Sequence, residues 1–548
     1  MDIDLNIHNL YELGPEIDDG NIEYKYKLIN LDKARLNKRM TQMQYRIIEG
    51  NGEALYFIGI MDDGTPLGLN SEEYIESVNN LLLIASKLNY SLIKLTESVL
   101  NNSYIGEFLI REIDNNYIDL KIGVAGNVDA GKSTTIGTLT QGILDDGKGK
   151  ARMNVFNFKH EMASGRTSSI GHQIMGYDNN GNIVNSKNER LETWTEIVNK
   201  SNKIITFYDL AGHEKYLRTT IYGLTSIYPD YCLIMVGANM GINHMTREHM
   251  GLCLTLKIPF ILIVSKIDIV PPNILEENMN KINNICKKGA RKMPYIIKNN
   301  IDVINVAKNI KSDTIVPIIQ ISNVTSHNLD LLKLLLNLLP IRNDYTELNN
   351  KPVEYLIDNT YSVTGHSTIV SGILKSGTIK VNDILVLGPY YDGSYKQTRV
   401  RTIHCKYKDI REAKAGSYIC LSLKNISRGE IKKGMVLVND NISSKLAVKE
   451  FWAKIHVLHS PTTIRLGYQP YIHIDQVRQS VRIVDIIKIK DEDDICNDGD
   501  DQVLRTGNKA NIKFEFMVKP EYIKPNMRLF FREGKVKAFG NIIDMIHT

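Results

Sequence analysis

Two tryptophans and six cysteines are all that 548 residues contain of either. The cysteines (Cys232, Cys253, Cys286, Cys405, Cys420 and Cys496) are scattered, with no C-x-x-C pair. That argues against a zinc site and a disulfide framework, and it fits a reducing compartment. No apolar run approaches the roughly 18 residues of a membrane span. The first ten residues, MDIDLNIHNL, are acidic and lack the apolar core of a signal peptide. A cytoplasmic protein is therefore expected, with neither a membrane nor DNA as partner. Internal repeats and low-complexity tracts are also missing. The formal charge of +5 is too mild to demand a polyanion, though it allows local contact with RNA or phosphate. Apolar content of 43% and charged content of 24% are ordinary for a globular chain. At roughly 150 residues per domain, the length implies three or four domains.

The apolar pattern changes character along the chain. Residues 1–118 read as a small α+β extension. Within it EALYFIGI (53–60) alternates like a strand, and a helix opening at Asn70 or Ser71 places Ile75, Val78, Leu82 and Ala85 on one face. Over 119–343, short continuous apolar runs (LKIGVAG, KIITFYD, YCLIMVGA, PFILIVSK, VPIIQIS) alternate with amphipathic helices. This predicts an α/β domain with a mostly parallel sheet and helices on both faces. LDLLKLLLNLLP (329–340) closes it with a helix ended by Pro340. Short strands and turns then predict two antiparallel β-barrels, over 349–440 and 446–548, joined near DNISSK. The acidic stretch DEDDICNDGDD (491–501) lacks the glutamate a calcium loop needs at its twelfth position, where Arg505 stands, and reads as a loop between strands.

GVAGNVDAGKSTT contains Gly126-x-x-x-x-Gly131-Lys132-Ser133 between a predicted strand and a predicted helix. In this context the pattern is a phosphate-binding loop: backbone N–H groups of Gly126, Asn127, Val128, Asp129, Ala130, Gly131 and Thr134 would converge on phosphate oxygens at a helix N-terminus. Lys132 would bridge the β- and γ-phosphates and Ser133 would ligate Mg²⁺. The base is chosen by VSKID. Lys266 can pack along it, and Asp268 can accept from two donors that guanine has and adenine lacks. GTP is therefore the expected substrate. Ser265 stands where this motif usually carries asparagine or threonine; its hydroxyl can still bond the loop backbone, with somewhat weaker affinity expected. QISNV supplies Ser322, Asn323 and Val324 toward the guanine oxygen. In FYDLAGHEKY, Asp209 would hold Mg²⁺ through water and the Gly212 N–H would contact the γ-phosphate. His213 would face the hydrolytic water, where Ras-like switches use a glutamine. The catalytic set is thus His213, Lys132 and Gly212.

In order, GNVDAGKS, GRTSS, DLAGH, SKID and SNV resemble the nucleotide motifs of translational GTPases typified by elongation factor Tu and elongation factor one-alpha. SVTGHSTIVSGILKSGTIKVND and IKKGMVLV resemble the opening and close of their second barrel. NVDAGKST, MASGRTSSIG, DLAGHEKY, SNVTSHNLDLL, VLHSPTTI and LRTGNKANIKF resemble the GTP-binding protein 1 subfamily over about 500 residues. The resemblance implies that Thr167 ligates Mg²⁺ in the GTP state, with Ser168 and Ser169 as adjacent alternatives, and that Asp129 helps to hold a monovalent cation. It also implies that Asp358, Asn359 and Tyr361 in barrel two meet an aminoacylated RNA end. Ala130 and Arg166 depart from elongation factor Tu, which carries histidine and isoleucine there, so the apolar gate around His213, which includes Val128, is expected to be built differently.

Two functions follow. One is a ribosome-dependent GTPase that acts with aminoacyl-tRNA, with Arg399, Arg401, Lys406, Lys408 and Arg411 as candidate RNA contacts. The other is a GTP-switched adaptor that recruits RNA-decay or surveillance proteins.

Overall fold

The computed structural model describes residues 14–100, 102–113, 117–153, 155–156, 159–164, 167–187, 190–361, 368–441, 446–489, 502–533 and 536–547. They group into two compact units. One spans residues 1–213, 229–251 and 258–342; the other spans 214–228, 252–257 and 343–548.

The first unit holds two main sheets and a separate two-residue strand pair. In the smaller, β1 (Ile22–Lys25), β2 (Glu53–Ile58), β3 (Tyr90–Leu100) and β4 (Ser103–Glu112) take the order β1-β2-β4-β3. Helices α1 (Lys33–Glu49) and α2 (Ser71–Lys87) start at Asp32 and Asn70, whose side chains accept from the N–H groups of Arg35 and Glu73. β2 alternates, but not between core and solvent, since all six of its residues are buried. Ala54, Tyr56 and Ile58 pack with α1 and α2, whereas Leu55 and Phe57 join the core of the larger sheet. The α2 face also differs from expectation. Tyr74, Ser77, Leu81, Ile84 and Ala85 are buried, while Ile75 and Leu82 are 56% and 49% exposed. Polar partners set this rotation: Ser77 Oγ accepts from the Leu28 N–H at 3.0 Å and Tyr74 Oη donates to Glu97 at 3.1 Å.

The larger sheet is built on β5 (Ile118–Gly126). Around it lie β6 (Gly171–Tyr177), the two-residue pair β7 (Ser186–Lys187) and β8 (Arg190–Leu191), β9 (Lys203–Asp209), β10 (Tyr231–Gly237), β11 (Phe260–Ser265), β12 (Met293–Ile296) and β13 (Ile315–Gln320). The helices in chain order are α3 (Lys132–Gln141), α4 (Lys159–Ser164), α5 (Trp194–Lys200), α6 (Leu217–Ile227), α7 (His244–Leu256), α8 (Pro272–Asn284), α9 (Asn300–Asn309) and α10 (Leu329–Leu338). The sheet order is β12-β13-β11-β10-β5-β9-β6, parallel throughout except for β6 against β9. The five apolar runs are its five inner strands. The two edge strands lack such runs and escaped the sequence reading. β9, β10 and β11 are buried at every residue, as strands covered on both faces must be.

A buried charge knot fastens the small sheet to the large one. Glu53 accepts from Arg111 Nη2 at 3.0 Å and from Lys203 Nζ at 2.8 Å; Lys203 also donates to the Asn337 and Leu339 carbonyls. Neither cationic side chain is exposed. Burial pushes the Lys203 ammonium down to about 8 despite Glu53.

In the second unit, Glu354–Tyr361, Thr368–Ser376, Ile384–Gly388, Lys396–Cys405, Tyr418–Lys424 and Val436–Val438 form one barrel. It closes where Ile384–Gly388 pairs with Lys396–Cys405, and Lys408–Ile410 extends its edge as a hairpin. Val448–His459, Tyr471–Ile474, Val477–Ile489, Lys509–Phe516, Arg528–Glu533 and Val536–His547 close a second six-stranded barrel. Helix α6 belongs to this unit. Tyr222 donates to Asp358 at 2.5 Å, Thr225 to the Asp475 carbonyl at 3.1 Å, and Gln476 to the Ser226 carbonyl at 3.0 Å. The 491–501 stretch and Arg166 lie outside the described residues. Among the described residues no helix is long and apolar enough to cross a membrane.

Candidate nucleotide site

Parallel register brings the candidate residues to one edge. Val124 pairs with Asp209, Met235 with Gly126 and Gly237 with Ser265, so all three motifs leave the sheet at the carboxyl ends of their strands. That is where open α/β sheets bind ligands. The loop after β5 turns on Asp129 and Gly131 at positive φ (59° and 83°), and α3 begins at Lys132.

A cleft is lined by Val128, Asp129, Gly131, Lys132, Ser133, Thr134, Arg152, Thr167, Gly212 and His213. Lys132 Nζ donates to the Asn127 carbonyl at 2.8 Å. Burial pushes its pKa down, against the pull of Asp209 and Asp129. Gly212 packs on the loop so closely that a Cβ would collide with Lys132 Nζ and the Gly126 carbonyl oxygen. His213 is half-buried at the cavity wall, ahead of the turn Glu214–Tyr216.

Ser133, Thr167 and Asp209 converge. Asp209 Oδ2 accepts from Ser133 Oγ at 2.5 Å and from Thr167 Oγ1 at 3.1 Å, and the two hydroxyls lie 3.0 Å apart. Asp209 Oδ1 is buried without a partner among the described residues. Burial raises this carboxyl, against Lys132 and the two hydroxyls. One carboxylate, two hydroxyls and an unspent oxygen suit a hard divalent cation with oxygen ligands. Ser168 and Ser169 are occupied elsewhere: their N–H groups and hydroxyls all donate to Glu161 Oε1 at 2.7–3.1 Å. Burial pushes Glu161 up, but these four bonds outweigh it and hold the carboxyl below its ordinary value.

At the base end, Ser265 Oγ donates to the Ala130 carbonyl at 2.8 Å, tying the strand end to the phosphate loop as expected of the hydroxyl. Lys266 takes a left-handed conformation (φ 62°) and opens the short turn that carries the exposed Asp268. Ser322 Oγ accepts from the N–H groups of Val324 and Thr325 at 3.2 and 3.1 Å, shaping the last loop. Asn323 donates to Thr135 Oγ1 at 2.9 Å, and its own Oδ1 is buried without a partner among the described residues.

Other candidates fare differently. Asp358 is absorbed by packing, with one carboxylate oxygen taken by Tyr222 and the other by Tyr418 at 2.9 Å. Asn359 is half-buried and Tyr361 exposed. Arg399 and Arg401 are exposed on the barrel strand Lys396–Cys405, Lys408 on the edge hairpin and Arg411 just beyond it, and Lys406 sits in the hairpin turn at φ 49°. Sequence reasoning missed His249, which is fully buried with neither ring nitrogen partnered among the described residues. Burial, helped by Lys132, drives it down to about 3, so it is neutral. Nothing in TREHMG separates it from an ordinary helix residue.

A phosphate loop, a hydroxyl–carboxylate cation set, a guanine-type turn and two following barrels together define a GTPase of the elongation-factor type. The elongation factor Tu GTP binding domain matches residues 119–341 and elongation factor Tu domain 2 matches residues 367–438. GTP-binding protein 1 of Xenopus laevis is 42% identical over 536 residues, covering 97% of this chain and 79% of that protein. GTP-binding protein 2 of Homo sapiens is 41% identical, covering 97% and 88%. Elongation factor 1-alpha of Methanocaldococcus jannaschii is 26% identical over 72% of this chain and 89% of its own length. Among solved structures, translation elongation factor SelB of Methanococcus maripaludis with the GTP analogue GPPNHP superposes with a TM-score of 0.55 at 20% identity, covering 79% and 80% of the two chains. The chain belongs to the GTP-binding protein 1/2 family of translational GTPases.

Proposed function

We propose that this GTPase acts in translation, hydrolysing GTP on the ribosome in company with aminoacyl-tRNA. The observation that carries the chemistry is the convergence of Ser133, Thr167 and Asp209 beside Lys132, Gly212 and His213. In this reading the loop N–H groups from Gly126 to Thr134 cradle the phosphates. Lys132 spans the β- and γ-oxygens, and the Gly212 N–H meets the γ-phosphate. Ser133, Thr167 and Asp209 would hold Mg²⁺, which neutralises charge on the β- and γ-oxygens when bound. His213 orients the attacking water, and Lys266, Asp268 and the Ser322–Val324 loop hold the guanine. Asp129 stands beside the same loop as the candidate for a monovalent cation.

The tRNA and ribosome side rests on family membership and on the exposed basic residues of barrel two. Asn359 and Tyr361 remain the candidates there for the aminoacylated end, since Asp358 is taken. The test is single-turnover GTP hydrolysis with and without ribosomes, and with and without aminoacyl-tRNA. Stimulation by both supports the reading. GTP-dependent binding to RNA-decay proteins with no stimulation by ribosomes would support the adaptor instead.

A further inference from the structure

We infer that Arg152 is a built-in arginine for the γ-phosphoryl group, supplying in cis the charge that many GTPases receive from a separate protein. Arg152 lines the same cavity as Lys132, Thr167, Gly212 and His213. Among the described residues it has no carboxylate partner. Lys132, by contrast, already donates to the loop.

The turn that bears it is anchored. Lys150–Arg152 forms a single 3₁₀ turn against α3, the helix that starts at Lys132. Contact is so close at Gly137 that a Cβ there would overlap the Ala151 carbonyl oxygen, and Ala151 is 1% exposed. Asp145 accepts from the Ala151 N–H at 3.1 Å, and Asp146 accepts from the Lys148 N–H at 2.8 Å. Just beyond, Val155 is buried in the core that holds Ile136 and Leu139 of α3. The arginine therefore leaves a turn held from both sides. Its own path is also built. Gly149 stands at φ 97°, and a Cβ there would overlap the guanidinium, with Cζ at 2.9 Å and Nη2 at 3.0 Å. A glycine at 149 lets the guanidinium lie across the turn.

The chemistry suits the position. As water attacks the γ-phosphorus and the bond to the β–γ bridging oxygen breaks, negative charge accumulates on the bridging oxygen and on the transferring group. A planar fork of donors stabilises that charge more than it stabilises ground-state GTP. Arg152 thus acts on the unstimulated rate, whereas His213 acts on the stimulated one.

The test compares the parent with Arg152→Ala and Arg152→Lys, using the full chain. GTP and GDP affinity, unstimulated single-turnover hydrolysis, and capture of GDP with aluminium fluoride and Mg²⁺ are measured for each. Arg152→Ala should bind both nucleotides within about 3-fold of the parent, lose about 100-fold or more in unstimulated rate, and fail to form the aluminium fluoride complex. Arg152→Lys should recover only part, because the charge returns without the fork. A parental rate and parental aluminium fluoride capture in Arg152→Ala would overturn the inference. So would an equal loss of GTP and GDP affinity with the rate unchanged, which would make Arg152 a ground-state phosphate contact. The inference rests on the cavity being the γ-phosphate site. If the parent itself binds no GTP, that wider reading fails too; if parent and Arg152→Ala hydrolyse GTP alike, only Arg152 is demoted.

Discussion

Thr167 and its two serine neighbours show how much one carboxylate decides. Sequence alone offers three adjacent hydroxyls for one metal position. Glu161 removes two of them by taking every donor of Ser168 and Ser169, and Thr167 is left 3.1 Å from Asp209. Glu161 carries no motif, so this choice was not legible in the sequence. Thr167→Ala should leave GDP affinity nearly intact and weaken the GTP-bound state, because in the proposed reading this side chain meets the metal only with a γ-phosphate present. Parallel titrations with GDP and a non-hydrolysable GTP analogue check it; equal losses would return Thr167 to a structural role. Asp268, in contrast, is singled out by its motif and its place after the phosphate loop, and the structure sets it exposed in the turn after β11. Asp268→Asn should lose about 2–4 kcal/mol of GTP affinity, roughly 30- to 1000-fold, and gain affinity for xanthosine triphosphate, as donor and acceptor exchange places. Competition binding with the two nucleotides reads this directly. Arg152 lies at the opposite extreme: an arginine within KGKARMN carries no signal until the fold brings its turn against α3.

Among elements, the inner strands of the large sheet announced themselves as unbroken apolar runs. The edge strands β6 and β12 did not, since an edge strand needs fewer apolar residues. β2 and α2 misled for a shared physical reason. The pattern shows that a face is apolar, but not what covers it. β2 is buried on both faces because the small sheet lies between its own helices and the core of the large sheet. α2 buries Ser77 because that hydroxyl satisfies a backbone N–H, and its run of Leu81, Leu82, Leu83 and Ile84 could supply any face. The Glu53 knot is the element-level contact with the largest consequence. Glu53→Gln should destabilise the first unit by about 3–5 kcal/mol, since it leaves two buried cations without their anion. Thermal and denaturant unfolding of parent and variant measure this. An unchanged midpoint would mean that the Asn337 and Leu339 carbonyls suffice for Lys203 and Arg111.

At the scale of the whole molecule, His213, the proposed catalytic histidine, closes the first stretch of one compact unit, and the chain enters the other unit at the next residue. Helix α6, bonded to both barrels through Tyr222, Thr225 and Ser226, follows within a few residues. The central claim is that His213 serves the transition state when the ribosome stimulates the enzyme. The most direct test is single-turnover GTP hydrolysis with ribosomes present, for the parent, His213→Ala and His213→Gln. His213→Ala should keep near-parental affinity for GTP and GDP while stimulated turnover falls about 10²–10³-fold, and His213→Gln should recover part of the loss. Parental stimulated turnover in His213→Ala would contradict the account, leaving His213 as no more than the residue before a turn.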